Sequence, residues 1–142
     1  MNAFRNPFLL VVLFCSLFLV KCTCGTEKDP SLVEEISKAW KISTLTVGGN
    51  DIADTENFSL TLNQSGDEPT TFTIATGGVA YNFAGTTTGS WSLNNNTNPT
   101  QATFAGNTVN FTASKDQLTI QYTIAKEVDK NTPTVRFVLV PR

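Results

Sequence analysis

From Trp40 almost to the C-terminus, apolar and polar residues alternate with a period of two. Phe58, Leu60 and Leu62 are separated by Ser59 and Thr61, and the same rhythm recurs in Phe72/Ile74, Val79/Tyr81/Phe83, Trp91/Leu93, Ala102/Phe104, Val109/Phe111/Ala113, Leu118/Ile120/Tyr122/Ile124 and Val135/Phe137/Leu139. Successive side chains of a strand point to opposite faces, so this rhythm gives each segment one apolar face. It predicts eight or nine short strands, with turns at Gly48-Gly49-Asn50-Asp51, Ala105-Gly106-Asn107 and Lys115-Asp116 and loops at Gly77-Gly78, Gly85 to Gly89 and Asn94-Asn95-Asn96. The first strand runs from Trp40 to Val47, and its phase slips between Ile42 and Leu45, which predicts a bulge. Connections this short leave no room for crossover helices, so the strands pair antiparallel. A sheet of about eight strands exposes two edges unless it closes. The expected fold is therefore all-β, an antiparallel up-and-down β-barrel, with a two-sheet β-sandwich as the alternative.

One helix precedes the strands. Ser31 and Glu34 have the spacing of a capping box, and Leu32, Ile36 and Ala39/Trp40 recur at helical intervals. A helix over about 32–38 is too short to stand alone and must pack on the sheet.

The N-terminus reads differently. Arg5 precedes an apolar run of 13 residues, Phe8 to Val20, that ends at Lys21. A membrane-spanning helix needs about 20 apolar residues, whereas the core of a secretory signal peptide has about 7–15. Just beyond lie Cys22 and Cys24, and Leu19 stands three residues before Cys22. A cysteine in that place resembles a bacterial lipobox, in which the chain is cut before a cysteine that then carries lipid. The expected organisation is a lipoprotein signal peptide over 1–21, a polar tether over 22–30 and a folded domain over 31–142. Cys22 is the expected lipidation site and Cys24 the alternative; Cys15 lies inside the apolar run. The membrane partner would be reached through this anchor, since acyl chains contribute about 0.8 kcal/mol per buried CH₂. Cleavage before Cys22 removes Arg5 and Lys21, leaving 8 basic against 12 acidic side chains and a net charge of −4. Nothing in that balance attracts nucleic acid.

Composition narrows the chemistry. The chain has no histidine, and its three cysteines all fall within the first 24 residues. Imidazole catalysis, imidazole metal ligation and a disulfide within the domain are thereby excluded. The carboxylates fall in turns or on the helix, and none interrupts an apolar strand face. The segment Asp51 to Glu56 lacks the spacing of a calcium loop. Neither an enzyme nor a cofactor is expected.

The arrangement resembles the small lipocalin-like lipoproteins common in Bacteroidetes. The resemblance rests on the lipobox-like cysteine, a short tether, a brief helix, Trp40 opening the first strand and a second tryptophan in Gly89-Ser90-Trp91. It runs from about Ser37 to Val140. It implies a lipocalin-like barrel in the cell envelope, anchored to the outer membrane on its periplasmic or outer side. The resemblance supports fold and address more than an activity.

Aromatic residues are the candidates for ligand contact. Trp40, Tyr81, Phe83, Trp91 and Tyr122 lie on expected inward faces, and the tyrosines and tryptophans carry polar groups that need partners when buried. Two functions follow as expectations. In one, the barrel binds a small hydrophobic ligand against these five residues. In the other, its core is filled and it serves as a structural or protein/glycan interaction module. The state of the barrel interior separates them.

Overall fold

The computed structural model describes residues 28–124 and 132–142. The apolar run and Cys15, Cys22 and Cys24 lie outside the described residues. Helix α1 spans Leu32–Ile36, and the Ser31 hydroxyl caps it by accepting from the Glu34 amide at 3.2 Å. The helix stops two residues short of the expected end. The Ser37 amide closes the last turn on the Val33 carbonyl, and Trp40 Nε1 donates to the Ile36 carbonyl at 2.8 Å. The Ile36 carbonyl, beyond the last helical turn, thus accepts from both the indole and the Lys38 amide, the latter at 2.9 Å.

Nine strands follow: β1 Ala39–Val47, β2 Asn50–Asp51, β3 Ser59–Ser65, β4 Glu68–Ala75, β5 Thr88–Leu93, β6 Gln101–Phe104, β7 Asn107–Ser114, β8 Gln117–Thr123 and β9 Thr134–Pro141. Eight of them, all but β2, pair in sequence order, and β1 also pairs with β9 from Trp40↔Pro141 to Val47↔Val135. The sheet is therefore a closed, antiparallel, up-and-down barrel and not a sandwich. Strand β2 is an extra two-residue strand folded back on the end of β1. The expected bulge in β1 falls between Ile42 and Thr44, where the register against β9 shifts. A second shift, between Leu62 and Gln64 of β3, has no signature in the apolar pattern.

Two expectations are corrected. Asn50-Asp51 is the return strand of a tight hairpin, with the turn itself at Gly48-Gly49. Val79 to Phe83 is not a strand but part of the irregular segment joining β4 to β5. Local bonds hold part of its backbone, and Asn107 Nδ2 from β7 donates to the Ala84 carbonyl. The Ala84 amide donates to Asn82 Oδ1 at 2.9 Å, and Asn82 Nδ2 donates to the Thr86 carbonyl at 3.0 Å. Gly77 makes this segment possible, because a Cβ there would lie 2.3 Å from the Asn57 backbone and its φ is +58°.

The strand directions give the barrel two unlike ends. At the lower end lie the β3–β4 and β7–β8 turns, the C-terminus and α1, which packs on β3 and β7 with Val33 and Ile36 fully buried. Lys38 Nζ donates to the Lys115 carbonyl in the β7–β8 turn and sits 4.9 Å from the centre of the Trp40 ring. At the upper end lie the β1–β2 hairpin, the β4–β5 segment and the β6–β7 turn.

Candidate functional site

The inward faces of the strands meet in an aromatic core. Phe104 is its centre: Phe83, Phe72 and Phe111 have ring centroids 4.9, 5.3 and 6.3 Å away, and Trp91 stacks on it at 6.4 Å with 12° between the planes. Phe137 continues the cluster, 5.5 Å from Phe83 and 5.6 Å from Phe58. Edge-on and offset arrangements of this kind are the favoured ones for aromatic rings. Gly89 belongs to the same packing. It is the register partner of Phe72, whose ring occupies the space a side chain at 89 would take.

The five aromatic candidates divide between this core and the upper rim. Trp40, Phe83 and Trp91 are buried, at 0, 4 and 2 % exposure. Both indole N–H groups are spent on backbone carbonyls, Trp40 on Ile36 and Trp91 on Asn63, each at 2.8 Å. These three residues lie in the packed interior, with their polar atoms already used. Tyr81, in the β4–β5 segment, and Tyr122, near the end of β8, are only partly buried and pack against the upper part of the core. Among the described residues neither hydroxyl has a hydrogen-bond partner. Partial burial pushes the Tyr122 phenol above its ordinary range, and the neighbouring Tyr81 adds to the rise. Cys22 lies outside the described residues.

Sequence reasoning missed the outer surface. Strands β7 and β8 stay in register from Ser114↔Gln117 to Asn110↔Gln121. Beyond that point β7 continues with β6 to Phe104↔Asn107, while β8 continues with β9 to Thr123↔Thr134. The two strands part, and a groove of about 230 Å³ lies there, lined by Gln101, Thr108, Val109, Asn110, Gln121, Tyr122 and Thr123. A second groove, of about 220 Å³, lies further down the same hairpin along Thr112, Ala113, Ser114, Gln117 and Thr119. Polar residues on outer strand faces are expected of any soluble barrel. Only the cross-strand register shows which of them become neighbours.

Among the described residues, no group of three or more Cys, Asp or Glu side chains gathers as a metal site would require. The ion pair in that set joins Lys28 and Asp67 at 2.6 Å, both well exposed. The hydrogen bond and charge of Lys28 hold the Asp67 carboxyl below its ordinary range. This contact lays the start of the domain against the β3–β4 turn at the lower end. No family model, curated protein or solved structure matches the chain.

Proposed function

We propose that this protein is a lipid-anchored component of the cell envelope, held at the outer membrane, that works through the exterior of a filled barrel as an interaction module. The observation that carries this reading is the aromatic interior. Phe58, Phe72, Phe104, Phe111 and Phe137 are buried to 1 % exposure or less and pack on one another across the barrel. A binding cavity for a small molecule is usually 300 Å³ or more and combines apolar walls with free polar groups. Here the two buried tryptophans have no donor left to offer.

The anchor rests on the apolar run Phe8 to Val20 and on Cys22 with Leu19 three residues before it. It also fits the lower end of the domain, where Lys28 leads in beside α1. The closed barrel is the fold that resemblance to lipocalin-like lipoproteins implies. A second reading is favoured by the two rim tyrosines: a small hydrophobic ligand could rest at the upper end against Tyr81 and Tyr122, rather than enter the interior.

Native mass spectrometry of the protein extracted from its own membranes tests both halves. The expected result is a chain beginning at Cys22 that carries acyl groups and no further apolar molecule. An unmodified chain beginning elsewhere overturns the anchor. A stoichiometric apolar ligand that survives Tyr81→Ala with Tyr122→Ala overturns the filled-barrel reading, whereas one lost with that pair of substitutions lies at the rim and supports the second reading. Cys22→Ala should release the domain into the soluble fraction; unchanged anchoring moves the lipid to Cys24.

A further inference from the structure

We propose that two copies of this chain exchange their N-terminal units, so that α1 and β1 of each copy complete the barrel of the other. This goes beyond the reading of a filled barrel that works through its exterior, and the partner it names is a second copy of the chain. The unit is set apart by its pairing. Strand β1 lies along β9 from Trp40↔Pro141 to Val47↔Val135, but it meets β3 only at Ala39↔Thr61 and Trp40↔Leu60. By contrast, β3–β4, β6–β7 and β7–β8 are hairpins closed by two-residue turns, with no slack for one strand to leave the other. Helix α1 travels with β1, because the Trp40 indole is bonded to the Ile36 carbonyl at 2.8 Å. Strand β2 travels with it too, since the ladder from Val47↔Asn50 to Thr46↔Asp51 continues with the Ile52 amide donating to the Leu45 carbonyl at 2.8 Å.

The hinge is the segment that joins β2 to β3. Its Ala53, Asp54, Glu56 and Asn57 are exposed. The chain reverses there within a few residues. The Phe58 amide donates to the Thr55 carbonyl at 3.1 Å, and Asp54 takes a φ of 57°, a left-handed conformation that is strained for a residue with a side chain. A short connection under strain favours exchange, because extending the hinge releases the strain. Extended, residues 53–57 span about 17 Å, which carries β1 clear of its own barrel. What the unit leaves behind selects the partner. Val33, Ile36, Trp40 and Leu45 are exposed by 1 % or less. Their departure opens a slot beside β9 whose ladder register and apolar lining match β1. A second copy supplies the same unit and restores each of those buried contacts. The exchange is reciprocal, so it closes as a two-fold dimer and leaves no open edge to recruit a third copy. Strand β1 also precedes β9 in the chain, so its long edge is open in any copy that has not yet closed its barrel.

Light scattering of the full chain, refolded from urea into mild detergent at rising concentration, gives the first test. The expected result is a species of two chains whose share grows with concentration. Complementation then separates exchange from side-by-side contact. Leu45→Asp and Phe137→Asp each place a charge in the core, at register partners on β1 and β9. Refolded together, an exchanged pair contains one intact barrel, built from the N-terminal unit of the Phe137→Asp chain and the body of the Leu45→Asp chain. The mixture should show a cooperative thermal transition larger than the mean of the two chains refolded separately. Asp54→Gly relaxes the hinge and should weaken the dimer about tenfold. Ala105→Gly, at a positive φ in the β6–β7 turn, should leave it unchanged. A single-chain mass at every concentration overturns the proposal, as does a two-chain mass without recovery in the mixture. Recovery that is indifferent to Asp54→Gly overturns the hinge. None of these outcomes depends on an acyl group or a bound apolar mass, so failure here is distinct from failure of the reading above.

Discussion

Ala105 occupies the first central position of the turn between β6 and β7 with φ at 48°, beside Gly106 at 90°. A two-residue hairpin turn with both angles positive suits Asn-Gly or Gly-Gly, and an alanine there is strained by about 1 kcal/mol. Ala105→Gly relieves that strain, and differential scanning calorimetry should show the midpoint rising by about 2–4 °C. Tyr122 gives a second prediction, in pH. Its phenol holds its proton more tightly in the folded barrel than in the unfolded chain. Below the ordinary tyrosine range both states are protonated, and the group's contribution is fully present. As pH rises through that range the unfolded chain loses its proton first, so stability falls until the folded phenol ionises too. Thermal midpoints measured from pH 8 to 12 should therefore fall less in Tyr122→Phe than in the parent chain. Equal slopes would mean that Tyr122 is not held above its ordinary range. Both tyrosines were legible in the sequence as aromatic residues with a polar tip. Their separation from Trp40, Phe83 and Trp91 was not, because alternation says which face a residue takes and not how near the barrel end it lies.

At the scale of the element, α1 shows how little a helix of five residues owes to its own propensity. Its cap is in place, yet its position depends on Val33 and Ile36, which are fully buried against the barrel. Ser31→Ala should cost about 0.5–1 kcal/mol, and Ile36→Ala about 2–4 kcal/mol. Urea unfolding of the two variants compares them directly; equal losses would mean that the cap, not the packing, holds the helix. The strands were legible wherever alternation coincided with ladder pairing, and even the slip in β1 appeared as a bulge. The segment from Val79 to Phe83 shows the limit of that signal. Val79 and Phe83 are buried and so alternate as a strand would, but the Asn82 side chain and two glycines with positive φ satisfy and turn the backbone without a partner strand. Alternation reports burial of every second residue, and pairing is a separate fact. The outer grooves were illegible for a related reason: the amides of Gln101, Asn110 and Gln121 stand far apart in the chain, and only the register of three strands sets them side by side.

The whole molecule is defined by the seam between its first and last strands. Removing residues 134–142 takes Val135, Phe137 and Leu139 from the core and leaves β1 and β8 with open edges. The truncated chain should lose its cooperative thermal transition by circular dichroism, while a surface change such as Thr73→Ala keeps it. The seam also sets a timetable. Strand β9 is the last of the barrel's strands in chain order, and until it arrives β1 has no partner along most of its length. A barrel of this topology therefore cannot complete itself behind an advancing N-terminus. Under the export proposed above, that delay would keep the polypeptide loose enough to be threaded through a membrane. It also means that the domain closes only once β9 is in place, with two unpaired edges waiting to meet.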